Sequence, residues 1–205
     1  MTPSDLLVRH GVLWREATQH RFLDGIREGR LPAGAVDTWL AQDARFASDL
    51  LTFQARLLAR APRPAQAALA TGAVALVDEL AWFESLSARR GLDLTTRALP
   101  ATEAYADLLR RLDTAAYPIA ITALWLLERV YLEAWRSAAP GAPEYRELVE
   151  HWTTPDFAAY VSALETLAAL IPLPSDDAGV DATALEVLEC ERAFWDEALA
   201  ADPAP

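Results

Sequence analysis

Residues 20–46 read HRFLDGIREGRLPAGAVDTWLAQDARF. This stretch predicts a helix that ends at Gly29, a short connection through Pro32 and a second helix that carries Gln42 and Asp43. Glycine commonly ends helices because it adopts the left-handed conformation. Asp43 stands among aromatic residues in a pattern typical of core, and a charged carboxylate is costly to bury unless it is paired or hydrogen-bonded. We therefore expect Asp43 to border a water-filled cavity or to bind a ligand.

The composition excludes several classes of protein. The 205 residues are 53% hydrophobic, which is enough for a substantial core and predicts a single domain over residues 1–205. The formal net charge is −12, and this excess of acids argues against nucleic acid and membrane as partners. All 18 basic residues are arginines, so neither a Schiff-base lysine nor a phosphate-loop lysine exists.

Cysteine usage and the N-terminal sequence predict a cytoplasmic protein. Cys190 is the only cysteine, so no disulfide forms within the chain, as is usual in a reducing compartment. Its neighbours include no base except Arg192, which indicates a structural thiol rather than a nucleophile. The N-terminus lacks the pattern of a signal peptide, and no stretch approaches 18 uncharged apolar residues.

Apolar residues recur at helical spacing through nearly the whole chain, and no convincing strand pattern of period two is present. We expect an all-α fold, a single antiparallel helical bundle with short connections. Ser4 is the predicted cap of the first helix and Asp181 that of the last, with loops at 92–99 and 172–177. The predicted helices span about 4–28, 34–60, 65–90, 100–112, 118–135, 144–152, 155–171 and 181–200.

The histidines do not form a recognisable metal motif. Glu16 lies four residues before His20, and Glu147 lies four before His151, whereas di-iron bundles use a Glu-x-x-His pair with a spacing of three. His10, the remaining histidine, has no such partner. We therefore expect no metal and no other cofactor.

Acidic residues recur beside aromatic residues in apolar helical stretches. Single members of this set could lie on the surface or pair with arginine, but their recurrence predicts a pocket with an aromatic wall and acidic anchors. Such a pocket suits a small, flat, nitrogen-rich heterocycle, and burial would raise the pKa of a carboxylate into the range useful for acid–base catalysis. The acids are Asp43, Glu79, Glu84, Glu128 and Glu191.

The order and spacing of these residues resemble the TenA family, also called thiaminase II or aminopyrimidine aminohydrolase, which has the heme-oxygenase-like fold. The resemblance covers nearly the whole chain. It rests on Trp14, residues 20–22 and 29–32, Gln42, Asp43, Glu79, Gly91, residues 100–105, Tyr145, Trp152, Phe157 and residues 191–195.

The resemblance implies a hydrolase that acts on a thiamin-related aminopyrimidine in thiamin salvage, assembled as a homodimer or homotetramer. It implies that Asp43 binds the aminopyrimidine ring, that Glu191 moves protons at that ring and that Tyr105 lines the site. The remaining expected binding residues are Phe46, Glu79, Trp125 and Trp152.

Several positions depart from the commoner type of this family. Ala123 stands where that type has its nucleophilic cysteine, and Phe46 and Trp152 stand where it has tyrosines. The pattern resembles the cysteine-less branch, in which a glutamate replaces the thiol, and Glu128 and Glu84 are the candidates for that role. Two alternatives stay open: a non-catalytic ligand carrier or regulator, and a di-iron or cofactorless oxidase on the same fold.

Overall fold

The computed structural model describes residues 2–171 and 178–200, and within them it contains ten α-helices and no strand. The predicted all-α fold is therefore confirmed, while the predicted loop at 172–177 lies outside the described residues. None of the described helices is both long enough and apolar enough to span a bilayer. The helices are α1 (Pro3–Arg9), α2 (Gly11–Thr18), α3 (Arg21–Glu28), α4 (Ala35–Arg60), α5 (Arg63–Arg90), α6 (Pro100–Leu112), α7 (Tyr117–Ser137), α8 (Arg146–Trp152), α9 (Pro155–Ala169) and α10 (Ala178–Ala200).

The first predicted helix is three helices, so the prediction of one continuous element over 4–28 is wrong. His20 has an extended backbone, and its Nδ1 accepts a hydrogen bond from the Phe22 amide at 3.2 Å, which caps α3. Its Nε2 lies 3.1 Å from Asp196 on α10. Thr2, rather than Ser4, caps α1. Its hydroxyl accepts a hydrogen bond from the Asp5 amide, and the Asp5 carboxylate accepts one from the Thr2 amide. The contact between His20 and Asp196 holds the start of α3 against α10.

Most other helix ends follow their local signals. Gly29 and Gly91 are left-handed at the ends of α3 and α5, where φ is 67° and 69°, and Thr154 caps α9 by accepting from the Phe157 amide. The predicted cap of the last helix is wrong, because α10 begins at Ala178. Asp181 lies inside the first turn of α10. It accepts hydrogen bonds from Arg9, at the end of α1, and from His10, the residue that follows α1.

A block of buried aromatic rings joins α4, α7, α8 and α10. The Trp135 ring centroid lies 5.0 Å from that of Trp39 and 4.9 Å from that of Trp152. Phe22 stacks on Trp195 at 5.2 Å, and this pair brings α3 into the same block. Because buried aromatic side chains bury large apolar areas, the block fixes the positions of the helices that surround the site.

Gln42 attaches the connection between α5 and α6 to α4. Its amide nitrogen donates to the Arg97 carbonyl at 3.1 Å, while its oxygen accepts from the Leu99 amide at 2.9 Å and from the Thr102 hydroxyl at 2.7 Å. Since Gln42 is buried, these bonds satisfy a polar group that would otherwise be costly to desolvate. They also place α6 against α4.

Candidate functional site

A cavity of about 530 Å³ opens between α4, α5, α7, α8 and α9. Its volume falls within the range of about 300–1,000 Å³ that is typical of small-molecule sites. The wall combines aromatic rings with carboxylates, and no arginine is among the described residues that line it. The lining residues are Asp43, Phe46, Thr71, Gly72, Ala75, Leu76, Asp78, Glu79, Trp82, Leu127, Glu128, Tyr131, His151, Trp152, Thr154, Asp156, Phe157 and Tyr160.

Asp43 forms the inner end of the cavity wall. It is 3% exposed, and the Tyr131 hydroxyl donates to its Oδ2 at 2.7 Å. Its other oxygen accepts no hydrogen bond from the described residues. Desolvation raises the pKa of Asp43 well above its usual value, with a further increase from the charge of Glu79, whereas the Tyr131 bond opposes the shift. Asp43 therefore offers one carboxylate oxygen to a ligand.

Glu79 on α5 is held in a similar way. The Trp152 indole N–H donates to its Oε1 at 2.8 Å. Desolvation raises the pKa of Glu79 to about 7, and the indole bond works against that increase. Glu79 thus changes its charge near neutral pH.

Glu128 on α7 is the acid with the fewest partners. It is 8% exposed and accepts no hydrogen bond from the described residues. Desolvation, followed by the charge of Glu79, raises the pKa of Glu128 to about 8. A buried carboxyl that faces a cavity without a partner is well suited to hold and transfer a proton.

The mouth of the cavity is aromatic and carries no fixed positive charge. Trp82 and His151 stack with ring centroids 3.9 Å apart and an interplanar angle of 12°. Desolvation lowers the pKa of His151 to about 4, so its ring is neutral at physiological pH. Asp78 and Asp156 lie exposed at the rim. A flat ligand can therefore pass between stacked rings and acidic groups.

Gly72 allows two polar groups to meet at the cavity wall. The Tyr160 hydroxyl donates to the Gln54 side-chain oxygen at 3.1 Å, and the Gln54 amide donates to the Leu69 carbonyl at 2.8 Å. A Cβ at position 72 would lie less than 3.0 Å from both the Gln54 amide and the Tyr160 hydroxyl. The absence of a side chain therefore preserves this arrangement.

The structure brings five of the predicted site residues to the cavity: Asp43, Phe46, Glu79, Glu128 and Trp152. Glu191 is buried nearby and is not among the residues that line the cavity. The Tyr105 hydroxyl on α6 donates to its Oε2. Its charge still contributes to the raised pKa of Asp43, and desolvation raises the pKa of Glu191 itself to about 7.

Three other predicted site residues lie away from this cavity. Tyr105 lies behind Phe46, with ring centroids 4.6 Å apart, and does not reach the cavity. Trp125 is fully buried in the core. Glu84 is exposed and lies in a separate surface groove beside Arg45. Its position on α5 leaves Glu84 no access to the acids of the cavity.

Sequence reasoning missed Tyr131, His151, Gly72 and Tyr160. Tyr131 follows Glu128 by three positions on one helix, and this spacing places both residues on the same face. That signal was available once Glu128 was a candidate. The contribution of Gly72 depends on the distance between α5 and α9, which no local pattern reveals.

Neither a metal site nor a reactive thiol accompanies these acids in the described residues. No group of three or more histidine, cysteine or acidic residues there could hold an ion. His20 lies beside Asp196 rather than in a cluster with Glu16, and Glu147 pairs with Arg89. Cys190 does not line the cavity, and desolvation raises the pKa of its thiol to about 12.

Comparison with known proteins identifies relatives over almost the whole chain. Residues 8–201 match the TENA/THI-4/PQQC family. A probable bifunctional TENA-E protein of Glycine max is 30% identical over an alignment that covers 92% of this chain and 89% of that protein. A TenA homologue of Pyrococcus furiosus is 26% identical and superposes with a TM-score of 0.90 over 97% of this chain and 100% of that chain.

More distant structures share the fold. A protein described as a TenA-like thiaminase of Sulfolobus solfataricus is 18% identical, with a TM-score of 0.83 over 98% of this chain and 97% of its own. These superpositions confirm the expected all-α, heme-oxygenase-like fold.

Proposed function

Because the chain belongs to the TENA/THI-4/PQQC family, we propose that it is a hydrolase that acts on a thiamin-related aminopyrimidine without a cysteine nucleophile. The observation that carries the proposal is the convergence of Asp43, Glu79 and Glu128, from three helices, on one aromatic-lined cavity. Asp43 and Glu128 are buried and Glu79 is half-buried. Because removing carboxylates from water destabilises a fold, their convergence indicates a functional requirement.

Asp43 binds the aminopyrimidine in this proposal. Its free oxygen accepts the exocyclic N–H of the ring, while Tyr131 holds the second oxygen. The rings of Phe46 and Trp152 provide apolar contact area for the flat heterocycle. Hydrogen bonds to a charged acceptor contribute about 1.5–3 kcal/mol each, which makes this contact the main anchor.

Glu79 and Glu128 perform the proton transfers. Ionised Glu79, with a pKa of about 7, removes a proton from a water molecule as the water oxygen bonds to the carbon that bears the leaving nitrogen. Protonated Glu128, with a pKa of about 8, donates its proton to that nitrogen as the carbon–nitrogen bond breaks. Water is consumed, and ammonia or an amine is released.

The test is turnover of thiamin-derived aminopyrimidines and their N-formyl relatives by purified protein, followed by mass spectrometry and an ammonia assay. We expect Glu128→Gln to lower kcat by about 10²–10⁴-fold, the usual contribution of a positioned general acid or base. Glu150→Gln, a matched change on the exposed face of α8, should keep the wild-type rate. Absence of turnover across the whole panel, or full activity of Glu128→Gln, would refute the proposal.

A second candidate function is ligand binding without catalysis. The position of Cys190 outside the cavity favours it, because the chain then lacks the covalent route open to a thiol-bearing enzyme. In that case the same compounds would bind, and no product would form over many hours. The two functions share the binding role of Asp43 and differ in the requirement for Glu128.

A further inference from the structure

We propose that Tyr131 and Trp152 are positioning residues, each of which donates its single side-chain hydrogen to one acid. They thereby fix the free oxygen of Asp43 as the acceptor for the ligand and the free oxygen of Glu79 as the acceptor for the attacking water. The inference rests on the proposed function in taking an aminopyrimidine as that ligand. It assigns a specific role to Tyr131, whose spacing from Glu128 places it only on the same helix face.

The Tyr131 hydroxyl has one hydrogen, which it donates to Asp43 Oδ2. The ring cannot turn freely, since it lies parallel to Trp195 with centroids 6.2 Å apart and meets Trp152 edge-on at 5.7 Å. A phenol held in this way has no second donor for the cavity. Its function is therefore to select which oxygen of Asp43 remains available.

The Trp152 indole plays the corresponding part for Glu79. Its N–H is donated to Glu79 Oε1, and its ring is held by Trp135 at 4.9 Å and by Trp39 at 5.2 Å. Tyr131 and Trp152 are in direct contact, so the two acids are attached to one rigid aromatic block. The distance between the two acceptor points is thereby set by ring packing rather than by flexible side chains.

The same hydrogen bonds change the ionisation of the acids. Asp43 faces Glu79 on α5, Glu128 on α7 and Glu191 on α10, and each of these charges raises its pKa in addition to desolvation. The Tyr131 bond favours the ionised form and lowers that pKa. Removal of the hydroxyl should therefore raise the pKa of Asp43 further. Because the ligand binds the ionised carboxylate, the loss of binding on acidification should begin at a higher pH than in the wild type.

The experiment compares Tyr131→Phe with Tyr117→Phe, a matched loss of a phenol on the same helix outside the cavity. Calorimetry measures binding of 4-amino-5-hydroxymethyl-2-methylpyrimidine between pH 5.5 and 9. We expect Tyr131→Phe to weaken binding about tenfold at neutral pH, the equivalent of one hydrogen bond, and to move the acid limb of the pH profile upward. Tyr117→Phe should change neither quantity. Trp152→Phe removes the indole bond that favours ionised Glu79, so it should raise the pKa of Glu79.

A second measurement needs no ligand. Infrared titration of the protonated-carboxyl band should show a higher midpoint in Tyr131→Phe than in the wild type, and the band that moves should be absent from Asp43→Asn. An unchanged midpoint would overturn the positioning role, even if the variant binds more weakly. Failure of the wild-type protein to bind the pyrimidine, with the midpoint shifted as expected, would instead count against the proposed function alone.

Discussion

Replacement of Gly72 by alanine should destabilise the protein, although the same change in most helices is stabilising. Alanine is favoured over glycine by about 0.8–1.0 kcal/mol in a helix interior, and Gly72 lies well inside α5. Its added Cβ would, however, lie less than 3.0 Å from the Gln54 amide and the Tyr160 hydroxyl. One of these groups must move.

The magnitude follows from the hydrogen bonds that would be lost. The bond between Tyr160 and Gln54 contributes about 0.5–1.5 kcal/mol, and a buried amide left without a partner costs about 1–3 kcal/mol. Gln54 is fully buried, so water cannot replace the Leu69 carbonyl as its acceptor. After the gain in helix propensity is subtracted, Gly72→Ala should lower the free energy of unfolding by about 0.5–3.5 kcal/mol.

Equilibrium unfolding in urea, followed by circular dichroism, measures this difference. Gly11→Ala is the matched control, because the nearest atom to a Cβ there is the Arg15 guanidinium at 3.9 Å. That variant should change the free energy of unfolding by no more than about 1 kcal/mol. The reasoning is refuted if Gly72→Ala is as stable as the wild type or more stable. A displaced Tyr160 would also narrow the cavity, so ligand affinity should fall in parallel.

Three further outcomes follow from buried polar groups. Because desolvation raises the folded-state pKa of Glu128 from 4.5 to about 8, the wild type loses stability as pH rises through this range. Glu128→Gln should therefore be more stable than the wild type at pH 8 and nearly equal to it near pH 4.5. The midpoints of urea unfolding at the two pH values measure this difference. Gln42→Leu should accelerate amide exchange across residues 92–99, measured by mass spectrometry, because three hydrogen bonds to this connection and its flank are lost. Cys190 should resist iodoacetamide at pH 8, since burial raises the pKa of its thiol to about 12, and Cys190→Ala should keep its catalytic rate.

Local sequence signals explain most of the fold. Left-handed glycines at Gly29 and Gly91, and the Thr154 cap, end or begin helices where their residue types predict. The interruption near His20 was not predictable in this way, because the stretch before it has continuous helical periodicity. It depends on partners in α10, where Asp196 contacts His20 and the Trp195 indole donates to the Ala17 carbonyl.

The candidate site shows the same division between pattern and packing. Acids beside aromatic residues were the signal for Asp43, Glu79 and Glu128, and these three residues line one cavity. Glu84 follows Glu79 by five positions, which corresponds to a rotation of about 140° around a helix, and so it faces solvent. Which of these two acids faces the cavity depends on the orientation of α5, which the local sequence does not determine. The surroundings of Glu191 were not predictable from its own helix, since its partner Tyr105 lies on α6, distant in sequence.

Desolvation and mutual repulsion oppose the simultaneous ionisation of the three cavity acids. Desolvation is the largest cause of the raised pKa in Asp43, Glu79 and Glu128, and the charge of Glu79 adds to it in the other two. A ligand that donates N–H groups relieves this cost because it supplies hydrogen bonds to the carboxylate oxygens that Tyr131 and Trp152 leave without a donor. A ligand with only acceptor groups requires the acids to stay protonated and should lose affinity as pH rises. The pH dependence of binding by amino and oxo forms of the same pyrimidine therefore distinguishes a site built for amines from one that merely holds a flat ring.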